Sequence, residues 1–237
     1  MQRYFVNEKK DNCFKLGIDD SYHIKTVMRM NIGELIEVIF KEEVYICEII
    51  NLDPVIVEIK EKLNTYNEMD VEVTICQSLV KESKMDLVLQ KCTELGAHRF
   101  IPLKVKNSII KCSQEDFLKK RDRWQRIVKE ASEQSKRNKI PEVSLVMDIE
   151  EVLKLKYDLK LLCTVNEVST TLKYVLQNSK TCGTMIIVIG PEGGFTSIEE
   201  KRFIEHGFIS VSLGNLILRT ETAGIVALSM INYEYER

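Results

Sequence analysis

The chain of 237 residues is 44% hydrophobic and 30% charged with a net charge of −2, a composition that builds a core and excludes wholesale disorder. Its longest tight apolar run, residues 185–189, falls far below the roughly 20 residues of a bilayer span, and Met1-Gln2-Arg3-Tyr4-Phe5-Val6 passes into Asn7-Glu8-Lys9-Lys10 without a signal-peptide core. A cytoplasmic protein without membrane contact is expected, and without a metal, because no two of the seven cysteines are two to four residues apart and only three histidines are present.

Up to about residue 70 the sequence holds short β-like runs at 3–6, 35–40, 44–51 and 55–61, broken by Lys41-Glu42-Glu43 and Leu52-Asp53-Pro54. This spacing predicts a small antiparallel barrel. Residues 64–70 are polar and aperiodic and read as a linker, so the expected division is 1–69 and 70–237.

From Val71 strand-like segments (71–77, 99–103, 159–164, 184–189, 210–213) alternate with helical ones. Met85, Val88, Leu89, Cys92 and Leu95 fall at helical spacing closed by Gly96, and Ser83-Lys84-Met85-Asp86 resembles a capping box at the start. Ser113 is placed to cap a long basic helix. Thr196-Ser197-Ile198-Glu199 is a fuller box, opening a helix that ends near His206-Gly207. An apolar helix with Ile225, Val226, Leu228, Met230 and Ile231 ends near Tyr233. The pattern predicts an α/β domain with a mostly parallel sheet, whose ligands gather at the carboxyl ends of strands.

Charge is segregated. Residues 1–70 carry 9 Lys/Arg against 14 Asp/Glu, a net of −5, whereas residues 99–140 carry 13 against 5, a net of +8. Lys119, Lys120, Arg121, Arg123, Arg126, Lys129, Lys136, Arg137 and Lys139 crowd one helix and its exit. Such density points to a polyanion, since basic clusters gain affinity by releasing phosphate counterions. Trp124, in the same helix, reads as an anchor to the body rather than a base-stacking platform.

Two glycine-bearing segments follow apolar strands: Ile189-Gly190-Pro191-Glu192-Gly193-Gly194-Phe195, and Leu213-Gly214-Asn215-Leu216-Ile217-Leu218-Arg219-Thr220-Glu221-Thr222-Ala223-Gly224. Neither matches the dinucleotide fingerprint, and no Gly-Lys-Ser/Thr phosphate loop is present, which disfavours a Rossmann dehydrogenase or a P-loop NTPase. Each is compatible with a plain strand-to-helix turn. Together, backbone groups and aliphatic side chains at two strand ends suit a flat heteroaromatic ring with polar edges.

These segments carry a resemblance over almost the whole chain. Arg3-Tyr4-Phe5-Val6, His23 with Met28-Arg29 and Gly33, Met85-Asp86-Leu87 through Gln90-Lys91-Cys92-Thr93-Glu94-Leu95-Gly96, Arg123-Trp124, Glu130-Ala131-Ser132-Glu133-Gln134-Ser135 with Arg137, Ile140-Pro141-Glu142, Gly190-Pro191-Glu192-Gly193-Gly194-Phe195 and Leu218-Arg219-Thr220-Glu221-Thr222-Ala223 occur in the order that resembles the RsmE family. These bacterial enzymes are similar to the SPOUT class of methyltransferases with a deep trefoil knot. The resemblance implies S-adenosylmethionine-dependent methylation of N3 of a uridine in 16S ribosomal RNA of the small subunit, by a homodimer. It implies a PUA-like RNA-binding β-barrel over 1–69 and a SPOUT domain over 70–237. It places the cofactor at Thr164, Val165, Asn166 and Glu167, at Ile189, Gly190, Pro191, Glu192, Gly193 and Gly194, and at Leu213, Gly214, Leu216, Ile217 and Leu218. Arg219 and Glu221 are the candidates for the methyl-transfer centre; Arg3, Arg29, Lys91, Arg123, Arg126 and Arg137 are the candidate RNA contacts. The chain departs from the family pattern at Lys136, usually Gly, at Leu216, often basic, and at Asn107, commonly Arg. A knotted ribose 2′-O-methyltransferase and a non-catalytic RNA-binding assembly factor are the rival readings.

Overall fold

Two sheets of opposite character divide the chain. The structure is a computed structural model that describes residues 1–108, 114–179 and 182–235. Two units are distinguished, Met1–Glu68 with Ser132–Lys139, and Met69–Ala131 with Ile140–Arg237.

The first unit contains β1 (Arg3–Phe5), β2 (Lys9–Lys10), β3 (Cys13–Lys15), α1 (Ile18–Tyr22) running into a π-helical turn (His23–Val27), β4 (Leu35–Phe40), β5 (Glu43–Leu52) and β6 (Val55–Leu63). The strands lie in the order β1-β4-β5-β6-β3-β2. Alternation buries Ile36 and Val38 of β4, and Val55 and Val57 of β6, against Tyr4, Phe14 and Ile24. Register shifts between Ile46 and Cys47 and between Ile49 and Asn51 curl the long β5–β6 pair. The expected antiparallel arrangement holds except at β1, which pairs with β4 in parallel. Strands β2 and β3 were not expected, because two or three residues are too few to show a period.

Residues 64–70, expected as a linker, are pinned within this unit as far as Glu68. The Glu68 carboxylate accepts from the Arg137 guanidinium and from the backbone N–H groups of Asn138 (2.8 Å) and Lys139 (3.0 Å). The Asn138 amide in turn donates to Thr65 O and Glu42 O. Polar composition here marks a hydrogen-bonded strap rather than free chain.

The second unit holds β7 (Glu72–Ser78), α2 (Glu82–Glu94), β8 (Arg99–Lys104), α3 (Gln114–Gln134, whose last residues fall in the first unit), β9 (Glu142–Val143), β10 (Met147–Asp148), α4 (Ile149–Leu153), β11 (Leu159–Cys163), α5 (Leu172–Asn178), β12 (Thr184–Ile189), α6 (Ser197–Glu205), β13 (Ile209–Val211) and α7 (Thr220–Tyr235). The strand order is β10-β8-β7-β12-β11-β13 with β9 on β8, and every pairing is parallel. The central strand β12 buries Met185 through Ile189 on both faces, as a strand covered by helices on either side must. One face packs against α2, α3, α5 and α7 and the other against α4 and α6. Trp124 is buried in the first of these cores, so it anchors α3 and offers no free ring face.

The helix ends show which local signals were sufficient. The Thr196–Glu199 capping box is complete, with Glu199 Oε2 accepting the Thr196 N–H at 2.8 Å. The box expected at Ser83 is absent: α2 starts at Glu82, and its cap residue Lys81 makes no side-chain bond. Gly96 closes α2 with φ +98°, and a Cβ there would lie 2.6 Å from Met69 Sδ. Ser113 and Cys112 lie outside the described residues. Among the described residues, no helix is long and apolar enough to cross a membrane.

Candidate functional site

Because β12, β11 and β13 are consecutive neighbours in a parallel sheet, their carboxyl ends lie side by side. The segments leaving them enclose a cleft of about 970 Å³, and each of the fifteen residues expected in the three cofactor loops lines it, as do Arg219 and Lys84. The conditions for a ligand site at the strand ends of a parallel sheet are thus met.

Each loop is tied down by side chains. After β11, Glu167 Oε1 accepts from the Ser169 hydroxyl (2.7 Å) and from the N–H groups of Ser169 and Thr170 (both 2.8 Å). Led by the Ser169 hydroxyl, these bonds hold the Glu167 carboxyl down to about 2. Thr164 and Asn166 donate to Glu200 of α6 at 2.5 and 3.0 Å.

The glycine loop after β12 is held from three sides. Its own turn closes with Gly194 N–H donating to Pro191 O at 2.9 Å, and Gly194 adopts φ +66°. Asn107 donates to the carbonyls of Gly193 (3.3 Å) and Gly194 (3.1 Å). Lys106 N–H, in the segment after β8 that also carries Asn107, donates to the buried Glu199 carboxylate at the start of α6. Underneath, a buried relay runs from Gln77 Nε2 to Thr220 Oγ1 (2.9 Å), and from that hydroxyl to Gly190 O (2.5 Å). After β13, Gly214 takes φ +126°, and the apolar Leu216 and Ile217 stand exposed at the mouth.

Charge at the cleft is concentrated around Lys84. Its ammonium lies 3.1 Å from Glu192 Oε1 and 3.1 Å from Glu221 Oε2. Glu221 is buried in the first turn of α7, and Arg219 just before it is exposed. Burial alone pushes the Glu221 carboxyl up. Its own N–H at the helix start, Lys84 and Arg219 outweigh that and leave it below the ordinary carboxylate range. The two carboxylates in turn raise the Lys84 ammonium, Glu221 more than Glu192.

The candidate RNA contacts are differently placed. Arg3 and Arg137 are buried: Arg3 pairs with Glu37 at 2.7 Å and donates to the carbonyls of Lys136 and Arg137, while Arg137 pairs with Glu68. Committed guanidiniums of this kind hold the first unit together, and a phosphate would have to displace those partners. Lys91 pairs with Glu94, and Arg123 with Asp86 and Glu82. Arg29 and Arg126 are exposed. Reading the sequence missed Gln77, Thr220 and the charge role of Lys84. The one local signal was a polar Gln77 directly after the apolar pair Ile75-Cys76 near the end of β7.

A family model described as an RNA methyltransferase domain matches residues 67–232, and one described as an RNA methyltransferase PUA domain matches residues 17–61. Ribosomal RNA small subunit methyltransferase E of Bacillus subtilis is 35% identical over 250 residues, covering 100% of this chain and 98% of that protein. The chain belongs to the ribosomal RNA small subunit methyltransferase E family. The member from Mesomycoplasma hyopneumoniae is 33% identical over 97% of this chain and 98% of its own. The family member from Neisseria gonorrhoeae, whose crystal structure was solved bound to S-adenosyl methionine, superposes with a TM-score of 0.88 at 29% identity, covering 98% and 97% of the two chains.

Proposed function

We propose that this protein uses S-adenosylmethionine to methylate N3 of a uridine in the 16S RNA of the small ribosomal subunit. The observation that carries this is the cleft at three adjacent strand ends, lined by three loops and by a lysine shared by two carboxylates. The residues present fit the cofactor. Gly190 lines the cleft, and a Cβ there would crowd the Phe195 ring at 3.1 Å, so the loop packs onto that ring only with glycine at this position. The apolar Leu213, Leu216 and Leu218 suit the faces of an adenine, and Glu192 and Glu221 give negative charge suited to a cationic sulfonium. When bound, S-adenosylmethionine supplies a methyl group on a leaving group that needs no acid.

The protein's task is then to prepare the acceptor. Uracil N3 is a poor nucleophile while protonated, so the site must take that proton or stabilise the anion spread over O2 and O4. Glu221, whose charged form the Lys84 ammonium favours, is our assignment for the base. Arg219, exposed at the cleft, stabilises the developing negative charge, and Glu192 shapes the glycine loop.

The same reading assigns residues 1–69 to a PUA-like RNA-binding barrel and 70–237 to the knotted catalytic domain of a cytoplasmic homodimer, with Arg29, Lys91, Arg123 and Arg126 on the RNA side. The test is methyl incorporation from labelled S-adenosylmethionine into purified small subunits, followed by nucleoside identification. Labelled 3-methyluridine is expected. A labelled 2′-O-methylated nucleoside would overturn the chemistry, and RNA binding without label would make the protein a binding factor.

A further inference from the structure

Lys84 belongs to neither glycine segment, yet it joins them. It rises from the first turn of α2, whose Met85, Val88, Leu89 and Cys92 are buried in the core, so its base is rigid. Its ammonium reaches Glu192 on the glycine loop and Glu221 at the start of α7, each at 3.1 Å. Side-chain exposures of 25% for Lys84, 29% for Glu192 and 11% for Glu221 keep the trio partly out of water, where charges are screened less than on open surface.

The two carboxylates do not depend on it equally. Glu221 Oε2 is sealed from water and has no well-directed hydrogen bond among the described residues, so the ammonium beside it is its compensation. Arg219 adds positive charge from the preceding loop, and Glu192 on the glycine loop shares the same ammonium. Removing the ammonium would leave a buried carboxylate oxygen without the counter-charge beside it. Such a group either takes up a proton or rotates toward solvent. Both responses spoil a base that must be charged and aimed.

We propose that Lys84 is a positioning residue of the methyl-transfer site: its ammonium holds the Glu221 carboxylate charged and oriented, and couples it to the glycine loop through Glu192. This rests on the methyltransferase reading above, and the experiment separates the two. Lys84→Met keeps the aliphatic stem and removes the charge, whereas Lys84→Arg keeps the charge. In cofactor-free protein with ¹³C-labelled glutamate, the Glu221 carboxyl resonance is assigned by its loss in Glu221→Gln and titrated. Its midpoint is expected to rise in Lys84→Met and to return in Lys84→Arg.

With cofactor and small subunits, Lys84→Met is expected to lose about tenfold or more in kcat, with a smaller change in KM for S-adenosylmethionine. The acid limb of its rate profile should move up with the carboxyl midpoint, and Lys84→Arg should recover most of the rate. An unmoved Glu221 midpoint, or an unmoved kcat, overturns the proposal; a loss confined to KM reduces Lys84 to a loop contact and overturns it too. A wild-type protein that binds cofactor but methylates no small-subunit RNA, with the midpoint shift intact, overturns the functional reading and the catalytic half of this one. If Lys84→Met does not fold, Lys84→Gln serves for the same titration and kinetics.

Discussion

Replacing Glu68 with glutamine tests whether the strap around residues 64–70 holds the first unit together. The Glu68 and Arg137 side chains are 7% and 4% exposed, so the substitution removes the Glu68 negative charge from beside a buried guanidinium. It also turns an acceptor of the Asn138 and Lys139 N–H groups into a group with only one acceptor atom. Breaking a buried pair by removing one partner costs about 3–5 kcal/mol, a large share of the roughly 5–15 kcal/mol that a domain has. At a urea dependence of about 2 kcal/mol per molar, the unfolding midpoint of the first unit should fall by about 2 M. Two probes distinguish the units. The single tryptophan, Trp124, lies in the core of the second, whereas far-ultraviolet circular dichroism sees both. Wild type and Glu68→Gln should differ in the dichroism transition, with the fluorescence transition moving less. A dichroism midpoint lowered by less than about 0.5 M, equivalent to about 1 kcal/mol, would refute the idea that this ion pair holds the strap.

Arg219→Ala should lower kcat by about 10²–10³ while leaving S-adenosylmethionine affinity, measured calorimetrically, within a factor of about three; undiminished turnover would remove Arg219 from the reacting centre. Thr220→Val breaks the relay between Gln77 and Gly190 and strands two buried polar groups, at about 1–3 kcal/mol. It should lower thermal stability and weaken cofactor binding together, and unchanged values of both would show that the relay carries no strain. Glu167 has a depressed folded-state pKa, so its contribution to stability is present above its ordinary value of 4.5 and is lost as pH falls toward about 2. The stability difference between wild type and Glu167→Gln should therefore shrink over that interval in pH-resolved urea titrations, and a difference independent of pH would contradict the loop staple.

What was legible in the sequence follows from how locally each feature is encoded. Residues 35–40 and 184–189 were read with the bounds of β4 and β12, because a run of apolar or alternating residues between polar breaks carries its own period. The two glycine segments were legible because Gly190, Gly193, Gly194 and Gly214 follow apolar strands, where a backbone must turn; the segment 164–167 carries no glycine and was placed by the family resemblance alone. The Ser83 box failed because the cap of α2 lies two residues earlier, at Lys81, whose carbonyl accepts the Met85 N–H, so Ser83 is already inside the helix. Pairings across long stretches left no local trace. Glu68 meets Arg137 after 69 residues, and Lys84 meets Glu192 and Glu221 after more than a hundred; no spacing rule announces them. Buried Arg3 and Arg137 teach the same lesson from the other side, since an arginine reads as a surface charge until its carboxylate partner is known.

The placement of β12 has a consequence for how the chain is made. This strand lies between β7 and β11, so it joins the two halves of the second sheet, yet it comes after both in the sequence. A nascent chain ending before residue 184 carries β7 and β11 with apolar edges that have no neighbour, and long-range parallel pairing of this kind is slow and exposes strand edges to other chains. The α7 start, which supplies Thr220 and Glu221 to the site, follows later still. Synthesis from the amino terminus therefore delivers the central strand after β7 and β11, and the cleft forms only once the chain has emerged through Thr220.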